Sequence, residues 1–303
     1  MLLPGGWYVI AASHELKPLK PLGIERFGTN IVLWRNKSGK PVAMLDQCPH
    51  RSAQLSVGRI KQDSIECPFH GFSFDLEGHC TLVPEIKKAA PNLTVQTFQV
   101  IEKNGFIWCW YGIEQASHDL PWFEALDKGK WSYSQQATNW PTHISRCIEN
   151  QLDYAHLPFV HKNTIGGNTD VTKPVKFELN NSSIKFYPES SQNGSGFIEF
   201  RFPNIWMLTI VPDKFAQMMA FVPVNEKMTR LYLRGYQSFI TLPLISTVFD
   251  TIGAWQSKYI LNQDRRVVLS QEPKSSLDAA HEILYPSDQG IKHFRRRWQE
   301  TSQ

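Results

Sequence analysis

The first third of the chain alternates short apolar runs with turn-forming residues, a pattern that is typical of β-structure. Residues 7–10, 31–34 and 41–45 are rich in β-branched and aromatic side chains. The segment Lys-Ser-Gly-Lys at 37–40 separates two of these runs and predicts a hairpin turn. Residues 94–100 and 105–110 continue the pattern. We therefore predict a small antiparallel β domain over residues 1–115.

The remainder of the chain combines both hydrophobic periods. Residues 116–139 are polar and irregular, and we interpret them as a connection between domains. Ile144, Ile148 and Leu152 then recur at helical spacing. Residues 171–240 return to strand-like runs with turns at 180–181 and 193–196, and residues 245–272 and 288–300 predict helices. The predicted fold class is α+β, an antiparallel β domain followed by a domain of helices and an antiparallel sheet over residues 140–303.

Composition narrows the class of protein. The 303 residues carry a formal net charge of +4, which argues against a dedicated nucleic-acid binder. Five cysteines, an odd number, favour a reducing compartment such as the cytoplasm over a disulfide framework. We see no secretory signal and expect no membrane span. Residues 239–255 are apolar but contain Pro243 and Asp250, so they indicate a buried element, with a membrane-surface role as the alternative.

Two short segments each carry one cysteine and one histidine. Cys48 and His50 lie in the first segment, Cys67 and His70 lie in the second, and 16 residues separate His50 from Cys67. Two thiolates and two imidazoles suit a tetrahedral zinc ion, or a Rieske [2Fe–2S] cluster in which the cysteines bind one iron and the histidines bind the other. Zinc sites usually pair like ligands within a segment. Because each segment here mixes the two ligand types, the spacing favours the cluster over zinc.

A second candidate metal site follows the helix predicted near residue 150. His156 and His161 are five positions apart, which in a regular helix leaves their side chains about 140° apart. Pro158 lies between them and disturbs the helix, so the two side chains can converge. Non-haem Fe(II) sites that activate O2 use two histidines and one carboxylate. Taken alone, the pair fits such a site and a pair of satisfied core histidines equally well.

Together these motifs resemble the catalytic (alpha) subunit of Rieske non-haem iron oxygenases, the aromatic-ring-hydroxylating family, and especially its short single-chain monooxygenase and demethylase members. The resemblance rests on C-x-H-x16-C-x2-H upstream of D-x2-H-x4-H and covers almost the whole chain. It implies a Rieske domain followed by a helix-grip-like catalytic domain, with Asn150 as a further candidate catalytic residue. It also implies Asp264 as the carboxylate ligand of the iron. From the residues alone, Asp250, Glu272 and Asp278 remain alternative candidates for this ligand. Asp264 is followed by two arginines, and a carboxylate in such a position usually belongs to a solvated helix face.

Asp153 lies three residues before His156 and is a candidate for orienting that imidazole. In the family, the matching aspartate connects an iron-binding histidine of one subunit with a cluster histidine of its neighbour. Carried over to this chain, electrons would pass from His70 of one copy to Asp153 and His156 of the next. The resemblance thus implies a ring-shaped homo-oligomer, most simply a homotrimer. The alternative is an aspartate that caps a local turn.

The resemblance implies a terminal oxygenase with two cofactors, a [2Fe–2S] Rieske cluster and a mononuclear Fe(II). A small organic substrate would be hydroxylated or oxidatively demethylated with O2, and similarity to the short members favours monooxygenation over dihydroxylation. No flavin or NAD fingerprint is visible, so the electron donor would be a separate ferredoxin or flavin reductase. The alternatives are a Rieske protein that only transfers electrons, which needs about the first hundred residues, and a zinc-binding interaction protein.

Overall fold

The computed structural model describes residues 1–117, 119–167, 169–188 and 196–302. The chain divides into two compact units, one made of Met1 with Gly6–Ser117 and the other of Leu2–Gly5 with residues 118–303. The turn predicted at 193–196 lies outside the described residues, apart from Gly196. Within the described ranges, every α-helix belongs to the second unit. None of these helices is both long and apolar enough to cross a bilayer.

The first unit is built from antiparallel sheets of three, four and five strands. Its strands are β1 (Gly6–Ala12), β2 (Leu22–Arg26), β3 (Thr29–Arg35), β4 (Pro41–Leu45), β5 (Arg59–Lys61), β6 (Ser64–Glu66), β7 (Ser73–Phe74), β8 (His79–Val83), β9 (Lys88–Thr94), β10 (Thr97–Phe98), β11 (Val100–Lys103) and β12 (Phe106–Tyr111). The strand orders are β1-β12-β11, then β10-β4-β3-β2, then β5-β6-β7-β8-β9. Strands predicted at 7–10, 31–34, 41–45 and 105–110 are confirmed, but the single strand expected over 94–100 is wrong, because three short strands share that region.

The two cysteine-containing segments are loops that leave this unit's sheets. The first follows β4, and the second connects β6 to β7. Cys48 and Cys67 belong to one buried cluster of apolar side chains, together with Trp34, Phe72 and Phe74. Core packing therefore holds each loop in place at its cysteine. Burial of each large apolar side chain in such a core stabilises the fold by about 1.5–3 kcal/mol.

In its described residues, the second unit contains a seven-stranded antiparallel sheet and four α-helices. Its elements are β13 (Ser132–Trp140), α1 (Ile144–Leu152), α2 (Leu157–Val160), β14 (Val175–Leu179), β15 (Ser183–Pro188), β16 (Phe197–Arg201), β17 (Ile205–Val211), β18 (Phe215–Asn225), β19 (Met228–Gln237), α3 (Pro243–Val268) and α4 (Gln289–Thr301). The strand order is β13-β19-β18-β17-β16-β15-β14. The predicted α+β class is confirmed.

Residues 132–139, which the sequence assigned to an irregular connection, belong to β13. This strand pairs with β19 from Ser132 opposite Gln237 to Trp140 opposite Thr229. Its sequence is polar on both faces, so the hydrophobic pattern gave no strand signal. Polar contacts stabilise it instead, including a bond from the Gln237 side-chain amide to the Ser132 hydroxyl (2.6 Å).

The register of the large sheet divides its bulky side chains between two faces. Trp206 lies opposite both Phe200 and Met219, and cross-strand partners share a face. The indole N–H of Trp206 donates to the carbonyl of Gln151 in α1 (3.1 Å), so this row lies on the helix side. Met207 is the next residue along β17 and therefore points to the opposite face. The Trp206 row therefore faces α1, the helix that precedes His156 and His161 in the chain.

The apolar run 239–255 is not a buried element, and that prediction is wrong. Most of it forms the first half of α3, where Leu244 and Trp255 are 85% and 73% exposed. The inner side of this half-helix is polar, because Ser246 is hydrogen-bonded to Ser132 (3.1 Å) and to Asp250 (3.2 Å). The helix contacts the polar strand β13 through these hydroxyl groups, and its apolar side faces outward.

A buried ionic network fixes α1. Arg146, 1% exposed, lies 2.8 Å from Glu282 and donates to the carbonyl of Pro273 (2.8 Å). Glu149 receives two bonds from Arg295 of α4 (2.7 and 2.8 Å). Arg295 also donates to Glu282 (2.6 Å), which closes the network. Buried charges are tolerated when they are paired in this way, and the C-terminal end of α1 thereby has a defined position.

Candidate metal centres

The first centre is formed by two tight loops, each closed by the backbone of its cysteine. The N–H of Cys48 donates to the carbonyl of Ala53, and the N–H of Ser52 donates to the carbonyl of Cys48 (both 2.8 Å). In the second loop, the N–H of Gly71 donates to the carbonyl of Cys67 (3.1 Å). Gly71 has a φ of +73°, which glycine adopts without strain. Each loop therefore carries a cysteine at its base and a histidine near its tip.

The four candidate cluster ligands differ in exposure. Cys48 and Cys67 are 1% and 2% exposed. His50 and His70 lie at the surface, with ring centroids 4.7 Å apart. The ring of His50 also stacks on Phe72, with centroids 4.6 Å apart. The loops thus bring together two buried thiols and two exposed imidazoles.

The donor set fits a Rieske cluster. Two thiols and two imidazoles, presented as separate pairs, are the ligands that such a cluster requires on its two irons. Burial raises the pKa of Cys48 to about 11, and the neighbouring Cys67 thiol contributes to the shift. Cys48 is therefore a neutral thiol at pH 7 in the metal-free chain, and metal binding must release its proton.

The second centre begins where α1 ends, at Leu152. Asp153 has an extended backbone (φ −93°, ψ 121°), and α2 is a single turn flanked by His156 and His161. Pro158 lies in the first turn of α2, where its missing N–H removes no helical hydrogen bond. The helix is therefore interrupted before His156 and not at Pro158, so the predicted position of the break is wrong. His161 has left helical geometry (φ −111°, ψ 25°), and the separation expected in a regular helix does not apply.

His156, His161 and Asp264 converge on one point. Their ligand atoms all lie within 4.8 Å of one another. Oδ1 of Asp264 is 3.4 Å from Nε2 of His156 and 2.8 Å from Nε2 of His161. His161 and Asp264 are 1% and 4% exposed. Two imidazole nitrogens from the residues flanking α2 and one carboxylate oxygen from α3 form the donor set of a two-histidine, one-carboxylate Fe(II) site.

The other carboxylates that the sequence left open have different surroundings. Asp250 accepts hydrogen bonds from Ser132 (3.3 Å) and Ser246 (3.2 Å). Glu272 is 69% exposed and lies 2.8 Å from the Lys274 ammonium group. Asp278 is exposed. Asp264 is therefore the carboxylate that the fold brings to both histidines.

The carboxylates and imidazoles of this centre stabilise each other's charged forms. Burial lowers the pKa of His156, but the neighbouring carboxylates of Asp153 and Asp264 outweigh it and raise the pKa to about 9. The same balance of burial against Asp264 raises the pKa of His161. Burial raises the pKa of Asp264, and the two imidazoles more than reverse this, so its net shift is downward. A dication bound here would take the place of the imidazole protons.

Asp153 and Gln263 contact the ligands, and Asn150 lies in the preceding helix α1. Oδ2 of Asp153 lies 3.4 Å from Nδ1 of His156, a long contact that leaves this nitrogen without a hydrogen-bond partner among the described residues. Nδ2 of Asn150 is buried and also lacks a hydrogen-bond partner within the described part of the chain. Gln263, which sequence reasoning did not select, lies 2.8 Å from Nδ1 of His161. Adjacency to Asp264 was its only signal in the sequence.

Comparisons with known proteins match both units. The Rieske [2Fe-2S] domain model matches residues 6–99, and the vanillate O-demethylase oxygenase C-terminal domain model matches residues 140–205. Chlorophyllide a oxygenase of Arabidopsis thaliana is 27% identical over 285 residues, which cover 88% of this chain and 52% of that protein. Aminopyrrolnitrin oxygenase PrnD of Pseudomonas fluorescens is 35% identical over 168 residues, which cover 52% of this chain and 46% of that protein. The chain spans about half the length of these curated relatives.

Solved structures share the fold of the whole chain. Dicamba monooxygenase bound to dicamba superposes with a TM-score of 0.81 at 22% identity, covering 98% of this chain and 96% of that one. NdmA of Pseudomonas putida CBB5 gives a TM-score of 0.81 at 24% identity, covering 96% and 88%. With a Rieske domain followed by an oxygenase C-terminal domain, this chain belongs to the Rieske oxygenases of the aromatic-ring-hydroxylating and demethylase type, a family that uses a [2Fe–2S] cluster and a mononuclear Fe(II).

Proposed function

We propose that this protein is the terminal component of an oxygenase system, and that it hydroxylates or oxidatively demethylates a small organic substrate with O2. The observation that carries the proposal is the convergence of His156, His161 and Asp264 in a chain that also has a Rieske domain. A protein that only transfers electrons has no use for a second metal centre. A zinc-binding interaction protein could use the two cysteines and two histidines, but it has no use for the second centre.

The proposal assigns a role to each group of ligands. Residues 1–115 form the Rieske domain, where Cys48, His50, Cys67 and His70 hold the cluster. Residues 140–303 together with β13 form the catalytic domain, joined through the segment 116–131, and there His156, His161 and Asp264 hold the iron. When bound, the cluster supplies single electrons and the mononuclear Fe(II) activates O2. Three protein ligands leave positions around the iron for O2 and substrate.

The helix side of the large sheet supplies apolar surface near α1. Trp206 and Met219 are 4% and 3% exposed and share this face. Apolar walls exclude water and favour apolar or aromatic substrates. We propose monooxygenation rather than dihydroxylation, because the relatives include toluene-4-sulfonate monooxygenase and the similar structures include dicamba monooxygenase.

Asp153 and Asn150 complete the proposed catalytic machinery. Asp153 would orient His156 and connect it to His70 of a neighbouring copy, which requires a homo-oligomer such as a trimer. Asn150 would donate its buried amide N–H toward the substrate or oxygen side of the centre. The electron donor would be a separate ferredoxin or flavin reductase. Because all five cysteines are free thiols, we propose the cytoplasm as the location.

A single-turnover experiment tests this function. The chain is loaded with iron, its cluster is reduced with dithionite, and ¹⁸O2 is added with toluene-4-sulfonate or dicamba, which the names of a relative and of a similar structure suggest. We expect cluster reoxidation to accelerate with at least one substrate, with formation of an ¹⁸O-labelled product or release of formaldehyde. His161→Ala is expected to abolish both. If His161→Ala keeps both the accelerated cluster reoxidation and the product, the proposal of an oxygenase acting at this centre is refuted.

A further inference from the structure

We propose that Gln263 is a positioning residue for the iron site, because its neutral amide oxygen fixes the proton of His161 on Nδ1 and leaves Nε2 free to bind metal. This inference rests on the proposed function. It concerns a side chain outside the set of ligand atoms formed by His156, His161 and Asp264.

The geometry places His161 between two consecutive residues of α3. Oε1 of Gln263 lies 2.8 Å from Nδ1 of His161, and Oδ1 of Asp264 lies 2.8 Å from Nε2. Successive residues of a helix point about 100° apart, so these two oxygens approach the imidazole from different directions. Because both ring nitrogens are held, the ring cannot rotate without losing a contact.

The tautomer follows from the metal chemistry. A histidine binds a metal through the unprotonated nitrogen, and the other nitrogen then carries the proton. Here Nε2 faces the candidate ligand Asp264, so Nδ1 must be the donor. Gln263 therefore has to present its oxygen rather than its NH2 group. The hydroxyl of Thr164, 3.2 Å from the same amide oxygen, is a donor that fits this orientation.

The neutrality of Gln263 distinguishes the two histidines. Nδ1 of His156 lies 3.4 Å from a carboxylate, that of Asp153. Nδ1 of His161 meets an uncharged amide at 2.8 Å. A carboxylate makes an imidazole more basic, whereas an amide mainly orients it. We infer that Gln263 gives His161 its direction without adding a third negative charge beside Asp153 and Asp264.

Equilibrium dialysis of Fe(II) against the full chain tests this role. The cluster stays in place, and circular dichroism and thermal unfolding report whether the second unit of each variant is folded. Gln263→Leu removes the acceptor at similar size, and we expect about 10–100-fold weaker Fe(II) binding. Gln263→Glu keeps an oxygen at this position and adds charge, so we expect an affinity equal to or higher than that of the parent chain. Gln256→Leu, the same change at an exposed position of α3, is expected to have no effect.

The outcomes separate this inference from the proposed function. If the parent chain binds no mononuclear Fe(II), or binds it equally well after His161→Ala, the proposed function fails. If His161→Ala abolishes binding but Gln263→Leu leaves the affinity unchanged, the iron site stands and the role of Gln263 is wrong. Equal weakening by Gln263→Leu and Gln263→Glu would also overturn the inference, because the oxygen acceptor would then not be the cause.

Discussion

Oδ1 of Asp264 lies 2.8 Å from Nε2 of His161, although 103 positions separate the two residues along the chain. The contact joins the end of the single-turn helix α2 to the last part of α3. Both side chains are almost completely buried, so the contact is shielded from solvent. Among the described residues, Asp264 is the carboxylate that contacts both imidazoles, and its removal should affect metal binding more than folding.

We predict that Asp264→Ala abolishes mononuclear iron binding and turnover. Two histidines alone hold Fe(II) weakly, since the carboxylate supplies both the third donor atom and the compensating charge. The Rieske spectrum should remain intact, because the cluster draws on other ligands. Iron analysis before and after chelation of the loosely bound metal, combined with the visible spectrum, measures both effects.

Glu272→Ala is the matched control for this prediction. Glu272 is 69% exposed and lies in an ion pair with Lys274, so its loss should change stability by less than about 1 kcal/mol. Iron content and turnover should equal those of the parent chain. If the effects of the two substitutions were exchanged, the assignment of the carboxylate ligand would be wrong.

Three pairs of candidate ligands, including Cys67 with His70, could be proposed from the sequence because each pair is local. Cys48 and His50, like His156 and His161, lie within a few residues of one another, and spacing constrains what they can bind. Asp264 carries no such constraint. Several late carboxylates have the same chemistry, and only the fold, or the family resemblance, distinguishes the one that approaches both histidines.

The sequence failed where polar contacts replace hydrophobic ones. Strand β13 has no apolar alternation, and half of α3 faces the sheet through Ser246 and Asp250, so a hydrophobic pattern could detect neither arrangement. Gln263 was missed for a related reason. An orienting amide looks like any polar helix residue until the ring that it contacts is placed.

We predict that Cys67→Ser bleaches the protein. An alkoxide or hydroxyl oxygen is a poor substitute for thiolate on an iron–sulfur cluster, so the brown colour and about two irons and two sulfides per chain should be lost. Cys80→Ser is the control. Cys80 is buried in the same apolar cluster as Cys67, so its substitution perturbs packing comparably but should leave the cluster intact. A colourless parent chain that holds one zinc ion would contradict the assignment.

The network around α1 predicts a pH-dependent stability. Burial raises the pKa of Glu282, but hydrogen bonds from Arg146 and Arg295 outweigh it, so the net pKa lies below the ordinary value of 4.5. A carboxyl group whose pKa is depressed by folding stabilises the protein above its unfolded pKa, and this contribution is lost as the pH falls through the folded value. Glu282 therefore contributes fully near pH 7 and progressively less below about pH 4.5.

Glu282→Gln tests this linkage. At pH 7 the variant should have a free energy of unfolding about 1–3 kcal/mol lower, because the buried Arg146 loses its closest charged partner. The difference from the parent chain should narrow as the pH falls below about 4.5, since the parent carboxylate is then protonated. Urea unfolding at a series of pH values measures it. A difference that stays constant between pH 7 and pH 3 would show that the charge of Glu282 does not contribute.

The last prediction concerns communication between the two centres. Asp153→Asn keeps the side-chain volume, and Oδ1 can still accept the N–H of Ala155 (2.7 Å), so the fold and both metals should survive. The neutral amide would no longer act on Nδ1 of His156 as a charge, so the imidazole becomes less basic. We expect the cluster to be reduced normally while turnover falls by about tenfold or more.

Mixing two variants tests whether the connection crosses between copies, as we propose. When chains carrying His70→Ala are mixed with chains carrying Asp153→Asn, some interfaces in the oligomer contain an intact His70 and an intact Asp153. Those interfaces should recover activity, whereas either variant alone should not. Verified mixed oligomers without recovery would return Asp153 to a local role, in which it orients His156 and closes the turn at Ala155.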